Sequence, residues 1–229
     1  MANLVPGARV LVIAAHPDDE LLGCGGTLAL HTRAGDRVTV VIVSNGRSAN
    51  ENGQGASQDS YARRALGKIG IEDVRLLGFP DQKLETLPLI QIITSLEKVV
   101  QDVRPKTIYC QYGGDVNRDH EVLFKATLVA TRPTEPFIEV VYAFDTASST
   151  EWGYPRSFVP DTWVDISSTL DVKLAAMAGY ESELRDYPHP RSLEALRHKA
   201  EAYGNQCCLS AAEVFMTVRR VRRNGKTPV

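Results

Sequence analysis

Apolar and polar positions alternate along the first two-thirds of the chain in blocks of two kinds. Short, nearly unbroken apolar runs lie at 9–15 (RVLVIAA), 37–43 (RVTVVIV), 74–79 (VRLLGF), 107–111 (TIYCQ) and 138–144 (IEVVYAF). Runs of this length suit strands buried on both faces of a parallel sheet, where neither side is left to water. The segments between them have helical period. One helix passes through Leu28 and Leu30 and ends at Gly35, and a second covers about 58–68. In a third, over 86–103, Leu89, Ile92, Ile93, Leu96, Val99, Val100 and Val103 recur at helical spacing until Pro105 stops the pattern. A fourth carries Val122, Leu123, Ala126, Val129 and Ala130 and stops before Pro133.

Strand and helix in alternation predict an α/β fold, Rossmann-like, with a mostly parallel sheet and helices on both of its faces. Residues 44–56, rich in Gly and Asn, read as a loop. The last third changes character and forms a C-terminal extension. It opens with an irregular stretch over 146–160, long enough to act as a lid. A short strand at 163–166 follows, then a helix capped by Ser167 or Ser168 and running to about Arg185. A second helix over 192–204 and a late strand at 214–221 complete it. No repeat, low-complexity tract or linker divides the chain, so residues 1–229 read as one domain.

Composition narrows the partners. With 229 residues, 43% of them hydrophobic, the chain can bury a sizeable core. Its 26 basic and 28 acidic residues leave a net charge of −2, which points to neither nucleic acid nor a membrane surface. The basic cluster Arg219, Arg220, Arg222, Arg223 and Lys226 reads as a solvated end. No apolar run reaches the ~18 residues of a membrane span, and MANLVPGARV lacks the layout of a signal peptide. Cys24, Cys110, Cys207 and Cys208 form no Cys-x-x-Cys pair, which argues against a disulfide framework or a thiolate zinc site. A cytoplasmic protein is expected. Its partner is a small molecule, and association with further copies of itself stays open.

In an open parallel sheet, ligands bind beyond the carboxyl ends of the strands. There the first run is followed by His16-Pro17-Asp18-Asp19-Glu20, the second by Asn45-Gly46-Arg47-Ser48, and the fourth by Asp115, Asn117, Arg118, Asp119 and His120. His16 and Asp19, three apart across a turn, can converge on one ion, and His120 can add a third ligand. Two imidazoles and a carboxylate with an open position for water are a catalytic zinc arrangement. Asp18, next in sequence to Asp19, is placed to serve as a general base. A proline and acids in a helix's first turn also occur for dipole reasons alone. The preceding strand and the second histidine tip the reading toward metal.

Ala15-His16-Pro17-Asp18-Asp19-Glu20, with Gly23-Cys24-Gly25-Gly26-Thr27 behind it and Asn117-Arg118-Asp119-His120 later, resembles the PIG-L/LmbE-like N-deacetylases. The order of elements matches from about residue 9 to 145. The resemblance implies that His16, Asp19 and His120 bind Zn2+ or another divalent metal. It implies that Asp18 moves the proton from water to the departing amine of an N-acetylated sugar. Arg47 would contact substrate hydroxyl or phosphate groups, or else be an ordinary loop arginine. Many members carry a histidine where this chain has Asn117, whose amide can donate a hydrogen bond to an oxyanion but cannot supply a proton.

His189, between Pro188 and Pro190, is a candidate to compensate by reaching the metal site, and equally a structural residue. Trp152 in the long loop either stacks on a sugar or packs. Asp119 either caps the helix carrying His120 or orients a ligand. His31 and His198 read as surface or packing residues, and Cys24 as a small buried one. Three rivals stand beside this reading. A dinucleotide enzyme needs a third glycine where Leu28 stands after Gly23 and Gly25. A sugar-binding relative without catalysis would not need a bare Asp18. A metal-dependent amidohydrolase acting on a non-sugar N-acyl compound shares every feature.

Overall fold

The structure, a computed structural model, describes residues 7–46, 58–155 and 157–223. The apolar runs form β1 (Arg9–Ala14), β2 (Arg37–Ser44), β3 (Asp73–Phe79), β4 (Thr107–Gln111) and β5 (Val140–Phe144). The periodic segments between them form α1 (Asp19–Arg33), α2 (Gln58–Gly67), α3 (Leu89–Val103) and α4 (Arg118–Ala130). Then come β6 (Thr162–Asp165), α5 (Leu170–Met177), α6 (Leu193–Asn205) and β7 (Ala212–Arg220). The strands lie in the order β3-β2-β1-β4-β5-β7-β6. The first five are parallel, and β7 runs antiparallel between β5 and β6.

Alternate residues of a strand face opposite ways. Val10 and Val12 therefore pack against α1, α2, α5 and α6 on one face, while Leu11 and Ile13 pack against α3 and α4 on the other. The chain leaves β1 toward β2 and later returns to lay β4 on β1's other side. The loops after β1 and β4 thus part in opposite directions and open a crevice at the carboxyl ends of these neighbours.

Helix α1 is broken at Cys24, whose backbone (φ −143, ψ 16) is not helical. A break frees backbone groups that need new partners. The N–H groups of Gly26 and Thr27 donate to the Glu213 carboxylate at 2.8 and 2.7 Å. The Leu22 carbonyl accepts from Lys173 Nζ at 2.9 Å, and Lys173 pairs with Glu213 at 2.7 Å. Lys173 and Glu213 are both buried. Gly23 lies so close to β5 that an added Cβ would collide with the Phe144 ring.

The extension departs from expectation in two places. The helix expected to reach Arg185 is α5 and stops at Met177, since the chain turns at Gly179 and takes Tyr180 into the core. Its N-cap is Thr169, because Ser167 Oγ is engaged by Asp165 and the Ala211 N–H. The basic end is also not simply solvated. Arg219 donates to the Thr131 carbonyl, Arg220 lies over the Tyr142 ring, and Arg223 donates to the Ile138 carbonyl at 3.2 Å. β7 draws these residues along β5; Lys226 lies outside the described residues. No helix among the described residues is long and apolar enough to cross a membrane. All four cysteines are free, with Cys24 and Cys110 buried.

Candidate metal centre

The crevice between β1 and β4 is organised by Gln111, the last residue of β4. Its Oε1 accepts from the Ala15 N–H at 2.7 Å, and its Nε2 donates to Asp19 Oδ2 at 2.7 Å. The chain then turns sharply. The His16 N–H donates to the same Asp19 oxygen at 2.8 Å, and Asp18 takes up φ 109, ψ −31. A non-glycine residue in that region is strained by ~1–3 kcal/mol. The turn brings His16 Nδ1 to 3.2 Å from Asp19 Oδ2. His120, in the first turn of α4, places Nε2 at 3.3 Å from His16 Nδ1 and 3.4 Å from Asp19 Oδ2.

These three spacings test whether a metal fits. Zinc bonds of roughly 2.0–2.1 Å in tetrahedral directions separate the ligand atoms by about 3.3–3.4 Å. The observed triangle matches, so His16, Asp19 and His120 form a suitable donor set. Both imidazoles are also oriented from behind. His16 Nε2 faces Asp119 Oδ2 at 3.1 Å, and His120 Nδ1 faces Asp115 Oδ2 at 3.2 Å. A carboxylate on the second nitrogen fixes the ring and strengthens it as a ligand. Asp115 is held in turn by Ser149 Oγ and by Thr150 Oγ1, the latter at 2.6 Å.

Asp119 is thus set behind a ligand, not at the helix cap. The cap is Asn117, whose Oδ1 accepts the Asp119 N–H at 2.9 Å. That bond leaves the Asn117 amide NH2 for the cavity, which Asn117 lines.

The electrostatics favour a cation. Burial opposes charge on His16, yet Asp119 and Asp19 raise it to about 10. Burial also opposes charge on His120, and Asp19 and Asp115 raise it to about 9. Burial works against ionisation of Asp19, but His120 and His16 hold its carboxyl well below the usual range. Burial, then the charge of Asp19, pushes Asp18 up, while Arg191 pulls it down. Glu20, fully buried behind Asp18, accepts from Tyr180 Oη at 2.7 Å and from the Asp18 N–H at 3.1 Å. Burial raises Glu20 to about 7 against the Tyr180 hydrogen bond.

The donors open on a cavity of about 310 Å³, at the small end of sites for compact ligands (~300–1,000 Å³). Gly46, Asp81, Gln82, Glu183 and the pair Arg185 and Arg191 also line it. Arg47, the next residue after Gly46, lies outside the described residues.

His189 and Trp152 are not among the lining residues. Their rings meet edge to face at 6.4 Å, and Trp152 is 54% exposed. His189 Nδ1 is occupied by the Arg191 N–H at 3.1 Å, so its segment delivers Arg191 to the cavity in place of His189. His31 is buried between Asp36 Oδ2 at 2.7 Å and Tyr109 Oη at 3.0 Å, and His198 is exposed beside Tyr187.

Sequence reasoning missed Gln111, Asp81 and Arg191 and left Asp115 without a role. Gln111 carried a signal, being the polar residue that closes an apolar strand. Arg191 carried none.

Residues 11–131 match the PIG-L family, described as GlcNAc-PI de-N-acetylase. The uncharacterized deacetylase YaiS of Escherichia coli K12 is 30% identical over 179 residues, 76% of this chain and 90% of that one. A probable N-acetyl-alpha-D-glucosaminyl L-malate deacetylase 2 of Bacillus cereus is 29% identical over 188 residues, 76% of this chain and 83% of that one. Among solved structures, the 4-carboxy-2-hydroxymuconate hydratase GalB of Pseudomonas putida KT2440 superposes with a TM-score of 0.73. It is 24% identical, with 95% of this chain and 99% of that one covered, and so shares the fold alone.

Proposed function

The chain belongs to the PIG-L family, and on that premise we propose that it is a metal-dependent hydrolase. It removes the acetyl group from the nitrogen of an amino sugar or amino-sugar conjugate. The observation that carries this reading is the triangle of His16, Asp19 and His120 donors with Asp18, outside that donor set, lining the same cavity. The deacetylase names of the YaiS and Bacillus cereus relatives support it.

A zinc ion held by His16, Asp19 and His120 would supply Lewis acidity for the acetyl carbonyl and the attacking water; iron(II) or cobalt(II) suits the same donors. Asp18 takes the proton from that water and later returns it to the amine nitrogen as the C–N bond breaks. The Asn117 amide donates a hydrogen bond to the carbonyl oxygen as charge builds there. Asp115 and Asp119 keep the two imidazoles in place. Asp81 Oδ1 lies 3.3 Å from His16 Nε2, so Asp81 joins Asp119 behind that imidazole, and from its place in the cavity wall it can also face a sugar hydroxyl. Arg47 engages hydroxyl or phosphate groups, and Trp152 stacks on a part of the conjugate that extends past the cavity. His189 acts only by holding Arg191.

The test is acetate release from a panel of N-acetyl sugars, nucleotide sugars and N-acylated amino acids, with zinc added or chelated. Zinc-dependent acetate from the sugars, lost in Asp18→Asn, supports the reading. Hydration of an unsaturated acid with no acetate from any amide would place the chain beside GalB and overturn it.

A further inference from the structure

Arg191 reaches the centre from a segment that no motif covers. Its Nη1 lies 3.2 Å from Asp18 Oδ2 and 3.3 Å from Glu183 Oε2. Among the described residues it is the cation paired with Asp18, whose acidic neighbours Asp19, Glu183 and Glu20 all oppose its ionisation. Acidic neighbours push this carboxylate toward a cation, and Arg191 Nη1 is the cation in ion-pair contact with it. The pairing engages Oδ2 and leaves Oδ1 outside it.

Arg191 is itself firmly placed. Its N–H donates to His189 Nδ1 at 3.1 Å. The next residue, Ser192, is the N-cap of α6, its Oγ accepting the Ala195 N–H at 3.0 Å. The backbone of Arg191 is therefore fixed at a helix start, and Glu183 tethers its guanidinium beside Asp18.

We propose that Arg191 is a positioning residue for Asp18: it holds the carboxylate with one oxygen directed at the cavity, where a proton must be taken up and given back. The proposal rests on the reading of Asp18 as the base. The turn that carries Asp18 is strained and is fixed by backbone bonds, but the side chain's own two rotations are not, and Arg191 settles them. Both carboxylates are met by one nitrogen, Nη1, so a lysine could supply the charge but would have to match the guanidinium's reach.

Crystal structures of zinc-loaded wild type, Arg191→Met and Arg191→Lys provide a readout that needs no substrate. In Arg191→Met the Asp18 carboxylate should rotate out of its place while His16, Asp19 and His120 keep theirs and bind the same amount of zinc. With the N-acetyl sugar turned over fastest in the panel, kcat should fall ~10²-fold, the effect of misplacing a reacting group by about an ångström. KM should change far less. Arg191→Lys should recover part of the loss, and added guanidinium should recover part in Arg191→Gly.

An Asp18 carboxylate unmoved in Arg191→Met, or a kcat within about twofold of wild type while Asp18→Asn is inactive, overturns the proposal and leaves the base intact. Full turnover by Asp18→Asn instead overturns the base, and the role of Arg191 with it. Should Arg191→Met fail to fold, Arg191→Lys and its structure decide the matter.

Discussion

Replacing Lys173 by methionine should weaken the fold sharply, and a second substitution should restore part of the loss. Lys173 and Glu213 are about 94% and 96% buried along their side chains and lie 2.7 Å apart. Methionine fills the space of the lysine stem but strands the Glu213 carboxylate inside the protein. Breaking one side of such a pair costs about 3–5 kcal/mol. The Leu22 carbonyl also loses its donor, adding about 1 kcal/mol. For a chain of this size each kcal/mol moves the midpoint by roughly 2–4 °C, so Tm should drop by roughly 8–24 °C in calorimetry.

Lys173→Met with Glu213→Gln removes the buried charge and keeps an amide oxygen for one of the N–H groups freed at Cys24. The double variant should therefore be more stable than Lys173→Met alone. A double variant no better than the single, or a single variant within about 2 °C of wild type, would show that the charge pair does not hold the broken helix together.

Three further outcomes follow. Asp119→Asn leaves His16 with a weaker partner on Nε2 and should lower zinc affinity about 10–100-fold, read by competition with a chelating dye; unchanged affinity would remove the orienting role. Burial keeps the His31 imidazole below its ordinary value against the pull of Asp36, so the unfolded chain takes up that proton first. The stability it confers is full above about pH 6.5 and declines as pH falls through that value, by up to ~1.4 kcal/mol per unit; zinc-loaded His31→Gln should show a shallower acid slope than wild type in urea titrations. Gly23→Ala drives a methyl into Phe144 and should cost about 1–3 kcal/mol, a loss that Phe144→Leu in the same chain should partly relieve.

What could be read from the sequence divides by the range of the interaction that creates it. The parallel strands were legible as apolar runs, unbroken in β1, β2 and β4, where both faces are buried, and weaker in the half-exposed edge strand β3. His16, Asp19 and His120 were legible because each follows such a strand at a spacing that chemistry recognises. The end of α5 was misread because Tyr180 and Leu184 prolong the apolar pattern past Gly179, although Tyr180 faces inward to reach Glu20. Arg191 and Asp18 stand 173 residues apart, and nothing local marks either for the other. Gly26 and Glu213 are joined in the same hidden way. Pairings of that reach come from strand order, and apolar periodicity does not encode strand order.

The twisted backbone at Asp18 has an evolutionary consequence. Glycine adopts a positive φ without strain, so a population selected only for heat resistance would drift toward glycine at position 18. Selection for turnover would remove those variants, and the two pressures oppose each other at one codon. Sequences that have lost the reaction but kept the fold should reveal themselves there first.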